Sequence, residues 1–128
     1  TDGLLLLMFP EGTRSRDCQL HRGFPGTALV AYRTGAPIIP VAITGTEHLP
    51  WPWLFVRPFI GPRVVVRIGK PFYPPKAERI TSQAAKDATD EIMLHVAELL
   101  PESYRGEYRE AVTRRQAEDA GLKEANPV

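Results

Sequence analysis

The sequence predicts an α/β fold, with a partial and mostly parallel sheet and flanking helices. Three observations carry this prediction: an apolar run at 4–9, a second apolar run at 38–43, and helically spaced apolar residues between them. A strand, a helix and a strand in that order form a βαβ unit with parallel strands. With 128 residues, 43% of them hydrophobic, the chain has the size of one globular domain.

Each element of the N-terminal half is predicted by a local pattern. The run at 4–9 is continuously apolar, which is typical of a strand covered on both faces. A helix is predicted at 23–32, because Pro25 suits a first turn and Gly35 suits the position after a helix end. The run at 64–68 is β-branched and bounded by Gly and Pro, which predicts a further strand.

The clearest helix is predicted at 80–100. Its apolar residues form one stripe at helical spacing, Thr81 or Ser82 can cap its start, and Pro101 ends it. His95 on this helix is interpreted as a partly exposed structural residue.

A more polar helix is predicted at 104–120. Its only candidate packing face consists of Tyr108, Ala111 and Val112. From Gly121 onward we expect a frayed tail.

The composition excludes several classes of protein. The net charge of +1 creates no overall field that would favour nucleic acid. The single cysteine, Cys18, cannot form an internal disulfide and is interpreted as an incidental thiol rather than a nucleophile. No run reaches the roughly 20 apolar residues that a membrane span needs.

The residues at 9–15 follow the first apolar run and have the chemistry of an anion-binding loop. Gly12 lets a ligand approach the main chain. Thr13 and Ser15 supply hydroxyls, and Arg14 offers a fork of donors that matches a phosphate. Arg14 is also part of a basic cluster with Arg16, His21 and Arg22, for which a solvated loop face is the alternative interpretation.

Glu11 is unexpected in an anion site, since its carboxylate repels a phosphate. It can be accommodated if it pairs with Arg14 or Arg16, or if it accepts a hydrogen bond from a substrate hydroxyl. The motif therefore indicates a ligand that carries both a phosphate and hydroxyls.

Two segments remain open to two interpretations each. Pro40 interrupts the apolar run at 38–43, so this strand lies at a sheet edge or is bent. The aromatic segment at 49–55, with Trp51 and Trp53, either packs on the core or shapes a pocket, or it rests at a bilayer interface.

The motif at 9–15, FPEGTRS, and the later block at 36–43 together resemble the third and fourth conserved blocks of the glycerophospholipid acyltransferases. The resemblance is to the 1-acylglycerol-3-phosphate acyltransferase branch. It implies that 1–103 form the C-terminal part of the acyltransferase domain and that 104–128 are a helical extension and tail.

The resemblance also implies an activity and its site. A fatty acyl group would move from acyl-CoA or acyl carrier protein to a lysophospholipid acceptor, without a metal or other cofactor. The residues that would hold the acceptor are Glu11, Gly12, Thr13, Arg14 and Ser15. The residues of the second block that would form the wall of the acyl-donor pocket are Pro37, Ile39 and Pro40. The enzyme would work at the cytoplasmic side of a membrane, peripherally or anchored through an N-terminal part, and would not bind nucleic acid.

The chain departs from the family in the catalytic pair, a His followed five positions later by Asp. Its three histidines are followed at that spacing by Gly26, Trp53 and Leu100. We therefore expect this chain to be the C-terminal part of a longer enzyme and to be inactive alone.

Two other classes stay open. The first is a non-catalytic module that binds a phosphate or a lipid headgroup. The second is a phosphoryl-transfer enzyme, although the sequence has no glycine-rich phosphate loop ending in Lys-Ser or Lys-Thr, and few carboxylates near Glu11 to hold magnesium.

Overall fold

The computed structural model describes residues 3–48, 63–74 and 79–125. The helices in these residues are α1 (Gly26–Thr34), α2 (Ser82–Leu99) and α3 (Arg109–Ala125), and the strands are β1 (Val41–Thr44) and β2 (Val65–Ile68). Short 3-10 turns lie at Thr46–His48, Glu102–Tyr104 and Gly106–Tyr108. The aromatic segment at 49–55, with its two tryptophans, lies outside the described residues.

The sheet in the described part of the chain has two antiparallel strands. Val41 of β1 lies opposite Ile68 of β2, and Thr44 lies opposite Val65. Helices packed on this sheet agree with the α/β class, but the predicted mostly parallel sheet is not formed among the described residues. The βαβ prediction is wrong here because β1 takes its hydrogen bonds from β2, which follows it in sequence, rather than from a strand before α1.

The apolar run at 4–9 is not a strand in this structure. It has no regular secondary structure, and its leucines are open to solvent, with Leu4 95% and Leu5 92% exposed. A strand covered on both faces needs neighbouring strands and two packed layers. Among the described residues, this run has neither a neighbouring strand nor packed layers on its two faces. The run is therefore apolar but is not buried as predicted.

The end of α1 and the start of α2 agree with the predicted capping signals, whereas α1 begins at Gly26 rather than at the predicted Gly23, with Pro25 just before its first residue. Gly35 ends α1 with a left-handed φ of 65°, and its N–H donates to the carbonyl oxygen of Ala31. Thr81 precedes α2, and its side chain accepts a hydrogen bond from the N–H of Ala84 at 3.1 Å. The N-terminal cap and the C-terminal glycine are therefore confirmed.

Helix α2 is the centre of the core. Its predicted stripe is buried at Ala85, Ala88 and Ile92. One buried cluster joins α2 to α1. A second joins α2 to β1, to the loop before α1 and to the C-terminal segment, and consists of Leu20, Ala42, Met93, Ala97, Leu100, Tyr108 and Val112. None of the helices in the described ranges is both long and apolar enough to cross a membrane.

The C-terminal helix differs from its prediction at both ends. Two 3-10 turns occupy the start of the predicted helix, and α3 begins only at Arg109. It then continues through Gly121 to Ala125, so the expected frayed tail at Gly121 is wrong. Tyr108 and Val112, two residues of the predicted packing face, are buried. The division of the chain after residue 103 stays a prediction.

A side-chain network fastens α3 to α2. The Arg115 guanidinium donates to both carboxylate oxygens of Glu91, at 2.9 and 2.7 Å, and to Glu98 at 3.4 Å. These hydrogen bonds, those to Glu91 above all, raise the pKa of Arg115. His95 lies between the same two glutamates and its ring centroid is 3.9 Å from that of Phe72. Its half-buried position agrees with the predicted structural role.

Candidate functional site

The motif loop, residues 10–22, is closed at its base. The N–H of Phe24 donates to the carbonyl oxygen of Pro10 at 2.8 Å, so the chain leaves the loop beside the point where it enters. Within the loop, the N–H of Gly12 donates to the carbonyl oxygen of Phe9 at 3.0 Å. This bond closes a tight turn at the start of the FPEGTRS motif.

Gly12 is required by the geometry of this turn. Its φ is 67°, a left-handed conformation that L side chains rarely adopt. A Cβ atom at this position would also lie 3.3 Å from the ring of Phe24. A larger residue would therefore strain the turn and press on the residue that closes the loop.

Glu11 holds the loop together across its width. Its Oε1 accepts the N–H of His21 at 2.8 Å, ten positions further along the chain. Within the described residues Glu11 forms no ion pair with Arg14 or Arg16, the two partners considered from sequence. Its carboxylate is thus placed by a backbone amide, and Oε2 accepts no hydrogen bond within the described part of the chain.

Ser15 supports the loop from within. Its hydroxyl donates to Asp17 Oδ1 at 2.8 Å and accepts the N–H of Gln19 at 2.9 Å. Between these residues Cys18 has a left-handed φ of 59°, which bends the chain so that Asp17 and Gln19 both reach Ser15. Ser15 is therefore engaged in loop structure, and Cys18 shapes the loop through its backbone.

Asp17 and His21 form an ion pair that sequence analysis did not single out. Asp17 Oδ1 lies 2.9 Å from His21 Nε2. Hydrogen bonds from Ser15 first and His21 second lower the pKa of Asp17 to about 2. The hydrogen bond with Asp17 raises the pKa of His21, with the charge of Asp17 adding to it. The raised pKa favours the cationic form of His21, whose two ring nitrogens face the carboxylates of Asp17 and Glu107.

Replacing Asp17 with Asn is expected to lower the pKa of His21, because the amide keeps a hydrogen-bond acceptor but removes the negative charge. The stabilisation from the pair is present in full below the unfolded His pKa of 6.5 and is lost as pH rises through the higher folded pKa. On the acid side it is present above the unfolded Asp pKa of 3.8 and is lost as pH falls toward about 2. NMR titration of the His21 ring measures its pKa in the parent chain and in Asp17→Asn. Glu110→Gln on α3 is the control and should leave the His21 pKa unchanged. An unchanged His21 pKa in Asp17→Asn would contradict it.

Thr13 and Arg14 are free donors at the centre of the motif. Both side chains are exposed, and neither forms a hydrogen bond or ion pair within the described part of the chain. The rest of the predicted basic cluster is mostly occupied, since His21 binds Asp17 and Arg22 Nε donates to Glu107 at 3.1 Å. Arg14 and Arg16, both exposed and without a partner among the described residues, are therefore the cations available to an anionic ligand.

The second block lies at the start of the sheet. Ile38 pairs with Phe72 in an isolated bridge, and the carbonyl oxygen of Pro40 accepts the N–H of Gly69 at 2.9 Å. β1 begins only after Pro40, at Val41, because proline has no N–H for the ladder. Pro40 is buried, whereas Pro37 is exposed and Ile39 is 48% exposed. Their predicted role as an acyl-pocket wall stays a prediction.

Comparison with known proteins finds a matching family and several relatives. Residues 1–44, which contain the motif loop, α1 and β1, match the family model described as Acyltransferase. A 1-acyl-sn-glycerol-3-phosphate acyltransferase of Limnanthes douglasii is 50% identical over 48 residues, 38% of this chain and 17% of the relative. The chloroplastic 1-acyl-sn-glycerol-3-phosphate acyltransferase BAT2 of Brassica napus is 30% identical over 93 residues, 72% of this chain and 26% of the relative. No solved structure matches the chain.

These sequence matches define a class: the chain belongs to the acyltransferase family. Within this family it is similar to the 1-acyl-sn-glycerol-3-phosphate acyltransferases, the name that both of these relatives carry. The matched part of the chain corresponds to no more than 26% of the length of either relative.

Proposed function

We propose that this chain carries the acceptor-binding part of an O-acyltransferase that esterifies 1-acylglycerol-3-phosphate. The observation that supports this most directly is the motif loop, which is braced by its own residues and leaves Thr13 and Arg14 free in the described structure. A phosphate monoester needs a fork of charged donors, which Arg14 offers. The glycerol hydroxyls beside that phosphate can accept a hydrogen bond from the Thr13 hydroxyl and donate one to the Glu11 carboxylate.

The proposed reaction joins the acceptor to a thioester donor, acyl-CoA or acyl carrier protein. The free hydroxyl oxygen of the acceptor attacks the thioester carbonyl carbon, the C–O bond of the new ester forms, and the C–S bond breaks. The hydroxyl proton is taken by a general base and returned to the departing thiolate, so the products are phosphatidate and a free thiol. Binding the acceptor at a fixed position contributes through proximity.

This chain is proposed to be inactive on its own. General base catalysis by the family mechanism needs a His with an Asp five positions later, and none of the three histidines has one. His21 does not substitute for that pair, since its Nε2 is held by Asp17 and its Nδ1 lies 3.8 Å from Glu107. The loop would therefore bind and orient the acceptor, while proton transfer needs a residue placed elsewhere.

The donor and the membrane belong to the same proposal. Ile39 presents an apolar side chain that is 48% exposed at the start of β1, a surface suited to an acyl chain. Pro37 and Pro40 stiffen the backbone on both sides of it. Because acceptor and product both carry acyl chains, the site is proposed to work at the cytoplasmic surface of a membrane.

A non-catalytic phosphate or lipid-headgroup module is the second candidate. It is favoured by one observation, the exposed and unpaired Arg14 of the motif loop in the described structure, which can bind a phosphate without any catalytic pair. The two proposals share the binding chemistry of Arg14 and differ only in whether acyl transfer follows.

Binding of short-chain lysolipids tests the shared step. A soluble hexanoyl lysophosphatidate should shift the amide NMR signals of Gly12, Thr13 and Arg14, because its phosphate monoester fits the free donors. Two matched ligands serve as controls: hexanoyl lysophosphatidylcholine, whose phosphate is a diester, and hexanoyl glycerol, which has no phosphate. Both should cause much smaller shifts. Equal shifts with all three ligands, or shifts confined to residues outside the motif loop, would contradict the proposal.

A further inference from the structure

The second half of the motif loop is bonded to a segment more than eighty positions away, residues 103–107, here called the supporting segment. The N–H of Leu20 donates to the carbonyl oxygen of Tyr104 at 2.9 Å, and the N–H of Glu107 donates to the carbonyl oxygen of Leu20 at 3.4 Å. Gln19 Nε2 donates to the carbonyl oxygen of Ser103 at 2.7 Å. Both backbone groups of Leu20 are therefore satisfied by the supporting segment.

Charge and packing reinforce these backbone bonds. Glu107 accepts from Arg22 Nε at 3.1 Å and lies 3.8 Å from His21 Nδ1. The side chain of Leu20 is buried in one cluster with Tyr108 and Val112, directly after the supporting segment. Burial, together with the nearby Asp90 carboxylate, raises the pKa of Tyr108 to about 12.

Gly106 makes the close approach possible. Its φ is 51°, and a Cβ atom built there would overlap the carbonyl oxygen of Leu20. Only glycine has neither the Cβ nor the conformational restriction that would push the two backbones apart. The loop can occupy its observed position because residue 106 is a glycine.

The constraint reaches the ligand-facing side of the loop through one further bond. His21 follows Leu20, and its N–H donates to Glu11 Oε1 at 2.8 Å. Glu11 precedes Gly12 and is three positions from Arg14. A displacement of Leu20 would therefore move His21, release Glu11 and change the direction in which Arg14 extends.

We infer that the supporting segment positions the motif loop for its anionic ligand, and that Gly106 and Glu107 are positioning residues although neither contacts the ligand. The inference rests on the proposed function for the identity of the ligand, a phosphate monoester lipid. The segment lies outside residues 1–44, which match the family model, so it adds to the site a part of the chain that the motif does not include.

The test compares Gly106→Ala with Gly121→Ala, a helical glycine where an added Cβ would meet nothing within 4 Å. In Gly106→Ala, amide hydrogen exchange at Gly12, Leu20 and His21 should accelerate about ten-fold or more. Exchange at Met93 in the core should stay slow. The dissociation constant for hexanoyl lysophosphatidate should rise about five-fold or more, since a loosened loop must be ordered on binding. Gly121→Ala should change neither measurement.

A second variant decides the matter if Gly106→Ala also loses protection at Met93. Glu107→Ala introduces no clash and removes the contacts to Arg22 and His21, with the exposed Glu102→Ala as its control. It should accelerate exchange at His21 and Gly12 and weaken lipid binding, while Glu102→Ala leaves both unchanged.

Two results would overturn the inference. One is unchanged loop exchange in both Gly106→Ala and Glu107→Ala. The other is a loosened loop that binds the lysophosphatidate as tightly as the parent chain does. If the parent chain itself does not bind the lipid, the proposed function fails, and exchange at Gly12 alone decides whether the supporting segment orders the loop.

Discussion

Replacing Met93 with alanine is expected to destabilise the protein by about 2–5 kcal/mol. Met93 is 1% exposed and belongs to the cluster that joins α2 to Leu20, Tyr108 and Val112. Truncation removes buried apolar atoms and leaves a cavity that the surrounding helices can fill only in part. Met93 also packs beneath the exit of the motif loop, since a Cβ atom built at Gly23 would lie 2.9 Å from its sulfur.

Urea denaturation followed by circular dichroism measures this change. The matched control is Leu122→Ala on α3, where the side chain is 69% exposed and its loss should change the free energy of unfolding by no more than about 0.5 kcal/mol. Similar midpoints for Met93→Ala and the parent chain would show that the cluster around α2 does not hold the fold. Hydrogen exchange at Leu20 then shows whether the motif loop loosens together with the core.

Local chemistry is what the sequence predicted well. The start of α2 was found because a Thr81 side chain can accept an N–H of the first turn, and the end of α1 was found because glycine tolerates a left-handed φ. The strand β2 followed from its β-branched residues and flanking glycines. These signals depend on a few neighbouring residues, so they are readable without the rest of the fold.

Strand pairing was predicted poorly because it depends on residues far apart in the chain. The run at 4–9 has the composition of a buried parallel strand, but burial needs partners, and Leu4 is 95% exposed in the described structure. β1 instead pairs with β2 in antiparallel register. A hydrophobic pattern fixes which residues favour burial and leaves open which strand lies beside them.

The candidate site divides in the same way. The motif alone points to five residues, Glu11, Gly12, Thr13, Arg14 and Ser15. In the structure Glu11 and Ser15 support the loop through hydrogen bonds, whereas Thr13 and Arg14 have no partner among the described residues. The sequence could not reveal the supporting segment, because its bonds to Gln19 and Arg22 span 84 and 85 positions. The available signal was weak: a glycine, Gly106, between two tyrosines in a segment expected to be helical.

We expect the proposed acceptor site to depend most on Arg14. Arg14→Lys is expected to raise the dissociation constant for hexanoyl lysophosphatidate about ten-fold or more, because a charge-assisted hydrogen bond contributes roughly 1.5–3 kcal/mol. Lysine keeps the positive charge and loses the planar fork that bonds two phosphate oxygens at once. The fold should be unaffected, since Arg14 has no partner among the described residues. Isothermal titration calorimetry of Arg14→Lys and of the parent chain measures the two dissociation constants.

The control for Arg14→Lys is the same chemical change at Arg33, an exposed residue in the last turn of α1. Arg33→Lys should leave lipid binding unchanged, and neither variant should alter the dissociation constant for acyl-CoA, because the donor is proposed to contact the second block. Equal losses for lysophosphatidate and acyl-CoA would mean that Arg14 maintains the loop or holds the donor. If the dissociation constant for lysophosphatidate is unchanged in Arg14→Lys, the phosphate is attracted by positive charge alone. The bidentate hydrogen bond on which the proposed acceptor site depends would then be absent.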